Sequence, residues 1–247
     1  LRTLIIVPCF NERETIADLY REICDRTSFD AIVINDCSTD DSREVLVREG
    51  IPHLDLPLNL GIGGAVQTGY HYALNNGYDI GVQVDGDGQH DPGQVETLIA
   101  PIIQGDADLV IGSRYIGKEG FQSSAMRRVG IRFFKLLIFC LSGKKITDAT
   151  SGFRAANRKT MQLFTKNYAM DYPEPESNIL ALKNKLNVCE VPVTMRERQG
   201  GVSSIKALQP VYYMVKVSLG IIISATIRVK MTNDRTRHAE LDSVSPE

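Results

Sequence analysis

The chain has 247 residues, 43% of them hydrophobic and 23% charged, which is the composition of a globular protein of one large domain or two small ones and excludes a disordered chain. A formal net charge of −2 offers no global positive field for nucleic acid. The five cysteines, Cys9, Cys24, Cys37, Cys140 and Cys189, form no CxxC pair, so a disulfide framework and a zinc site are both disfavoured and a reducing compartment is expected.

Leu4 to Val7, stopped by Pro8, reads as a buried parallel strand. No charged and then apolar leader precedes it, so no signal peptide is expected. A helix over 12–26 follows, with Ile16, Leu19, Tyr20 and Ile23 at helical spacing. Next come a strand over 31–34, a polar helix over 40–48, a strand over 53–56 and a helix over 63–75. A strand over 80–84, a helix over 92–103 opened by Pro92, and a strand over 109–111 complete the first half. This rhythm predicts an α/β fold, Rossmann-like, with a mostly parallel central sheet flanked by helices.

The second half reads as a helix over 127–141, a polar loop with a short strand over 147–154, a helix over 174–185 and a strand over 188–193. An apolar stretch over 207–229 carries scattered cations. Its core, Val217 to Ile227, falls well short of the ~20 residues that span a bilayer. The expected organisation is a main domain over 1–206, an apolar helical segment over 207–230 suited to a membrane interface, and a disordered tail over 231–247.

The sharpest motif is Asp85-Gly86-Asp87-Gly88-Gln89-His90. Ile80, Val82 and Val84 alternate along the incoming strand, and Asp85 and Asp87, two apart, can share a face. Two hard oxygen ligands at a strand's carboxyl end suit Mg2+ or Mn2+, which take one or two carboxylates together with water and substrate phosphates. A solvated Asp-Gly turn is the bland alternative. Position after an apolar strand favours the site, because open α/β sheets bind ligands beyond their carboxyl edge. Asp36 follows the second strand at that same edge, where a carboxylate can accept an N–H from a base. Asp40 and Ser38 read as caps of the helix that ends at Arg48. Asn11 can cap the first helix, while Pro8, Phe10 and Glu12 would meet a nucleotide pressed against the first turn. Gly61, Gly63 and Gly64 form a broken version of a dinucleotide fingerprint, with Val66 in the place of its third glycine. Close packing of the next helix on the sheet is the expected reason for them. An NAD-dependent oxidoreductase is disfavoured on the same ground, and a nucleotide-binding protein without catalysis is the blandest alternative.

Six motifs occur in order: Pro8-x-x-Asn11-Glu12, Asp36-x-Ser38, Asn59 to Ala65, Asp85-x-Asp87-x-Gln89-His90, Gly112-Ser113-Arg114-Tyr115 and Ser151-Gly152-Phe153-Arg154. Together they resemble family-two glycosyltransferases of the GT-A fold, in the branch of dolichol-phosphate mannose synthase and bacterial polyprenyl-phosphate glycosyltransferases, over about residues 3 to 206. The resemblance implies a GT-A catalytic domain over 1–206 and transfer from a UDP-, GDP- or dTDP-sugar to polyprenyl phosphate. It implies that Pro8, Phe10, Glu12 and Asp36 hold the nucleoside, and that Asp85, Asp87 and Gln89 surround the metal and diphosphate. Arg198 would contact the donor diphosphate, just before the loop that contains Ser203. Arg114 with Arg127 or Arg128 would meet an acceptor phosphate. Where the family often has Gly-x-Ser-Lys, this chain has Ser204 in place of the lysine. The Gln-x-x-Arg-Trp motif of processive synthases is absent, as the chain has no tryptophan.

Arg127, Arg128, Arg132, Lys135, Lys144 and Lys145 lie in a stretch without an acidic residue, Met126 to Thr147. Arg128, Arg132 and Lys135 share one helical face, and Val129, Phe133, Leu136, Leu137 and Cys140 can form another. Such a helix can lie on an anionic membrane or pack on the core. The expected location is cytoplasmic, peripheral at the inner face of the membrane. A lipid phosphate is already an anion and needs no strong base. The alternative acceptor, a saccharide hydroxyl, needs a carboxylate, for which Glu176 is the candidate. Glu176 can equally be a first-turn glutamate that complements its helix dipole, as Glu174 is read to be.

Overall fold

Seven strands form one sheet in the order β3-β2-β1-β4-β6-β5-β7. The strands are β1 (Thr3–Cys9), β2 (Asp30–Asn35), β3 (His53–Asp55), β4 (Ile80–Gln83), β5 (Leu109–Ser113), β6 (Arg154–Asn157) and β7 (Val188–Pro192). The computed structural model describes residues 1–116, 125–170, 172–196 and 209–228, and of 125–129, 131 and 209–213 the backbone alone. β6 runs antiparallel to both β4 and β5, and the other pairings are parallel. The carboxyl ends of the six parallel strands and the start of β6 therefore share one edge.

Helices α1 (Ile16–Arg26), α2 (Ser42–Arg48) and α4 (Val95–Ile103) cover one face of the sheet. Helices α3 (Gly61–Asn75), α5 (Ala125–Ser142), α6 (Arg158–Lys166), α7 (Pro173–Lys183) and α8 (Gln209–Ser224) belong to the other. Alternation along the central strands sends Ile5, Val7 and Val82 to the first face and Leu4, Ile6 and Ile34 to the second. Each such fully buried aliphatic side chain stabilises the fold by about 1.5–3 kcal/mol.

Three expectations are corrected here. The segment expected as a loop with a short strand over 147–154 instead delivers β6 at 154–157, deep in the sheet, and α6 follows it unforeseen. Arg154 and two alanines give no apolar alternation, so the strand is invisible locally; its neighbours β4 and β5 make it one. The first helix starts at Ile16, not at residue 12, because Glu12 to Thr15 form a turn in which the Glu12 carbonyl accepts the Thr15 and Ile16 amides. The glycines at the start of α3 do not face the sheet. Gly61 has φ +76, and a Cβ on Gly63 would overlap the Ala169 carbonyl. The close approach to the sheet is made by Gly69, where a Cβ would strike Ile6.

Chain order places the candidate site. β2 and β3 build outward from β1 on one side, and β4 lies on the other. The order reverses between β1 and β4, and open α/β sheets bind their ligands at the carboxyl edge beside such a reversal.

Candidate active site at the sheet's carboxyl edge

β1 and β4 end side by side, so their two loops touch. A Cβ on Gly86 would stand 3.0 Å from the Pro8 carbonyl oxygen, and the Thr15 hydroxyl donates to the Gly86 carbonyl at 2.8 Å. Glu12 is buried beside this contact, with its amide donating to Ser42 Oγ at 2.9 Å, while Phe10 stands exposed at the rim. Cys9 is buried beneath the loop, and burial, with the nearby Glu12 charge, pushes its thiol up to about 12.

Asn11 does not cap α1. It sits at φ +58 and turns its Oδ1 to the amides of Thr39 (2.8 Å) and Asp40 (3.3 Å). It thereby splices the β1 loop to the β2 loop. Asp40 is not the N-cap of the next helix, a place Asp41 holds without a side-chain bond, but its Oδ1 accepts the Ser42 amide at 2.9 Å just outside that cap. Ser38 instead accepts the Asn11 amide at 3.0 Å. Asp36 is 3% exposed, and its Oδ1 accepts the Leu60 amide at 2.7 Å, at the start of α3. Burial raises its pKa, and the Leu60 and Gly61 amides offset part of that rise.

Asp85 and Asp87 follow β4 at the same edge, both partly exposed. Asp85 is held on several sides. Its Oδ1 accepts from Gln83 Nε2 at 2.8 Å, and its amide donates to His90 Nδ1 at 3.0 Å. The buried His90 ring stacks on Phe153, centroids 4.9 Å apart. Asp87 Oδ1 accepts the Gln89 amide at 3.1 Å, which tightens the loop. The Gln89 carbonyl accepts the Arg196 amide at 2.9 Å, so the strand-end loop is laced to the segment that leads to Arg198. Arg196 pairs with Glu22 (2.7 Å) and Asp91 (3.0 Å) and holds the Glu22 carboxyl below its ordinary range. Among the described residues no group of three or more His, Cys, Asp and Glu gathers as a metal cluster. Carboxylates at a strand's carboxyl edge are hard oxygen donors of the kind that suit a divalent ion completed by substrate phosphates.

The Glycosyl transferase family 2 model matches residues 4–164. The chain belongs to glycosyltransferase family 2. Relatives within reach include the polyprenol monophosphomannose synthase of Mycolicibacterium smegmatis, 28% identical, the match covering 88% of this chain and 86% of that one. The UDP-N-acetylglucosamine–dolichyl-phosphate N-acetylglucosaminyltransferase of Methanococcus voltae is 28% identical, over 76% of this chain and 83% of the other. Among solved structures, glucosyl-3-phosphoglycerate synthase of Mycobacterium tuberculosis, in complex with Mn2+, UDP-glucose and phosphoglyceric acid, superposes with a TM-score of 0.71 at 19% identity, over 93% of this chain and 81% of that one. The fold is GT-A, and the chain is a glycosyltransferase.

Arg114, expected to meet an acceptor phosphate, sits in a buried ion pair. Arg114 is 7% exposed and grips the fully buried Asp148 through Nε (2.7 Å) and Nη2 (2.8 Å), with Thr150 Oγ1 at 3.1 Å. Burial alone would lower its pKa, and the Asp148 bonds and charge more than offset that. Asp148 is fixed in turn by Glu190, whose Oε1 accepts the Asp148 amide at 2.7 Å. Sequence reasoning missed Asp148 and Glu190, and an acid inside Thr147-Asp148-Ala149-Thr150 carries no signal that it is buried. Glu176 belongs to the first turns of α7, and its carboxylate lies against α8, with Ser224 Oγ at 3.5 Å and Gly220 in contact. That placement is in the α7–α8 interface, not in the loop after β4. Arg127 and Arg128 open α5, but their side chains lie outside the described residues, as do Arg198 and Ser203 altogether.

Proposed function

We propose that this glycosyltransferase moves a sugar, with inversion, from a UDP-, GDP- or dTDP-sugar to polyprenyl phosphate at the cytoplasmic face of the membrane. The names of the relatives above support the acceptor class. The observation that carries the choice over a saccharide hydroxyl is the placement of Glu176 against Gly220 and Ser224. A hydroxyl acceptor needs a base within hydrogen-bond reach, whereas a phosphate monoester arrives as an anion.

Pro8, Phe10, Glu12 and Asp36 would hold the nucleoside, with Asp36 accepting the base N–H. Asp85, Asp87 and Gln89 would hold Mg2+ or Mn2+. That ion would supply charge neutralisation to the departing diphosphate. Arg198 and Ser203 would meet the diphosphate, and Arg127 or Arg128 the acceptor phosphate, so that cations align two negatively charged partners. Arg114 would set the edge of the acceptor site through Asp148.

Among the described residues no helix is long and apolar enough to cross a membrane. α5 and α8 instead present apolar faces outward. Phe133, Leu136 and Phe139 on α5 and Val215, Leu219, Ile222 and Ile223 on α8 are exposed, while Phe134, Ile138, Val217 and Ile221 turn to the core. The residues that were expected to form an apolar face of α5, such as Phe133 and Leu136, are thus its outer face. Exposed Arg132, Lys144 and Lys145 flank it. Paired interfacial helices with cations suit an anionic membrane surface.

A Glu176→Gln variant tests the acceptor. Transfer to polyprenyl phosphate should remain within a fewfold of wild type. Loss of transfer together with acceptance of a soluble oligosaccharide would replace the lipid phosphate with a hydroxyl acceptor.

A further inference from the structure

Ser151-Gly152-Phe153-Arg154 enters the site as a motif without an assigned task, and its geometry supplies one. Gly152 faces Asp85. A Cβ built on it would stand 2.7 Å from Asp85 Oδ2 and 3.0 Å from Gln83 Nε2. The backbone at Gly152 is in a range open to any residue, since φ is not in the left-handed region. A side chain at this position would therefore displace the carboxylate rather than strain the backbone. Phe153, fully buried, backs the His90 ring that accepts the Asp85 amide. Arg154 is also fully buried. Its Nη2 and Nε donate to the Ser151 carbonyl at 2.6 and 3.2 Å, and its Nη1 donates to Ser177 Oγ at 2.6 Å. A planar guanidinium thus pins the residue before Gly152 to α7, from beneath the site.

We propose that Ser151–Arg154 is the positioning wall of the Asp85 carboxylate. Gly152 makes the seat, Phe153 holds His90 behind it, and Arg154 fixes the seat by bridging Ser151 to Ser177. The inference rests on the reading of Asp85 as a metal and diphosphate ligand. It explains why an arginine is buried next to the start of β6: bidentate, planar donors fix a peptide in two directions, which lysine cannot do. Groups that orient a metal ligand commonly change metal affinity by about ten- to a hundredfold when altered.

The test is a Mn2+ titration followed by electron paramagnetic resonance, with UDP and GDP supplied separately, together with thermal melting. Wild type, Asp85→Ala, Gly152→Ala, Arg154→Lys and the Gly152→Ala/Asp85→Ala pair are compared. Gly152→Ala should weaken Mn2+ binding about ten- to a hundredfold. Arg154→Lys should move affinity the same way and keeps the inference testable if Gly152→Ala fails to fold. The melting cost of Gly152→Ala should shrink in the Asp85→Ala background, where the crowded carboxylate is gone; a general packing defect would not show this coupling. Wild-type Mn2+ affinity in both Gly152→Ala and Arg154→Lys, or a melting cost unchanged by Asp85→Ala, overturns the proposal. Wild-type affinity in Asp85→Ala overturns instead the reading of Asp85 as a ligand, and the melting coupling still decides the seat.

Discussion

Replacing Asp148 with alanine strips the buried Arg114 guanidinium of its counter-charge. The pair is closed on both sides, with Asp148 fully buried and Arg114 nearly so, and the two bonds at 2.7 and 2.8 Å are bidentate. Breaking such a pair from one side costs about 3–5 kcal/mol, because a desolvated charge is left behind. For a domain of this size, each kcal/mol lowers Tm by about 2–4 °C, so the loss should be roughly 6–20 °C. Replacing both residues, as Arg114→Met with Asp148→Leu, should recover most of that loss, since a well-packed apolar pair can match a buried ion pair. Calorimetry gives Tm for wild type, Asp148→Ala and the double variant, and transfer assays on the same samples separate stability from activity. If Arg114 acts only by shaping the site's edge, activity should return with stability in the double variant. A Tm change under 3 °C for Asp148→Ala would refute the claim that the pair is desolvated and holds this edge. Restored stability without restored transfer would return Arg114 to direct contact with the acceptor.

Asp87→Ala should abolish transfer with Tm unchanged, and chelation of wild type should do the same; turnover by this variant in excess chelator would end the metal reading. Asp36→Ala should raise donor KM more than it lowers kcat, the pattern of lost ground-state binding. Because burial raises the Asp36 pKa, acidification should raise the wild-type donor KM at a pH where an exposed aspartate is still charged, and Asp36→Asn should lose that pH dependence. Leu136→Glu with Leu219→Glu, both at exposed positions, should reduce co-sedimentation with anionic vesicles severalfold at unchanged Tm; equal sedimentation would discard the membrane face.

The first five strands and the edge that carries Asp36, Asp85 and Asp87 were legible in the chain because the information is local. A run such as Leu4 to Val7 is apolar whatever surrounds it, and a carboxylate after a parallel strand must emerge at the carboxyl edge. Motif order sufficed for the family, because six short patterns in sequence are a joint constraint that no single turn supplies. What the tertiary structure decided are properties of partners distant in sequence. Arg154 and Gly152 read as part of a polar loop with a short strand until β4 and β5 enclose Arg154 and Asp85 stands against Gly152. Arg114 reads as a ligand of an acceptor phosphate, and only the fold brings it the buried Asp148 carboxylate, whose own amide Glu190 holds. Glu176 reads either as a candidate base or as a first-turn glutamate, and only the fold lays it against Gly220 and Ser224 of α8. Burial and ion pairing depend on which chain segments meet, and no periodicity in a single segment encodes that meeting.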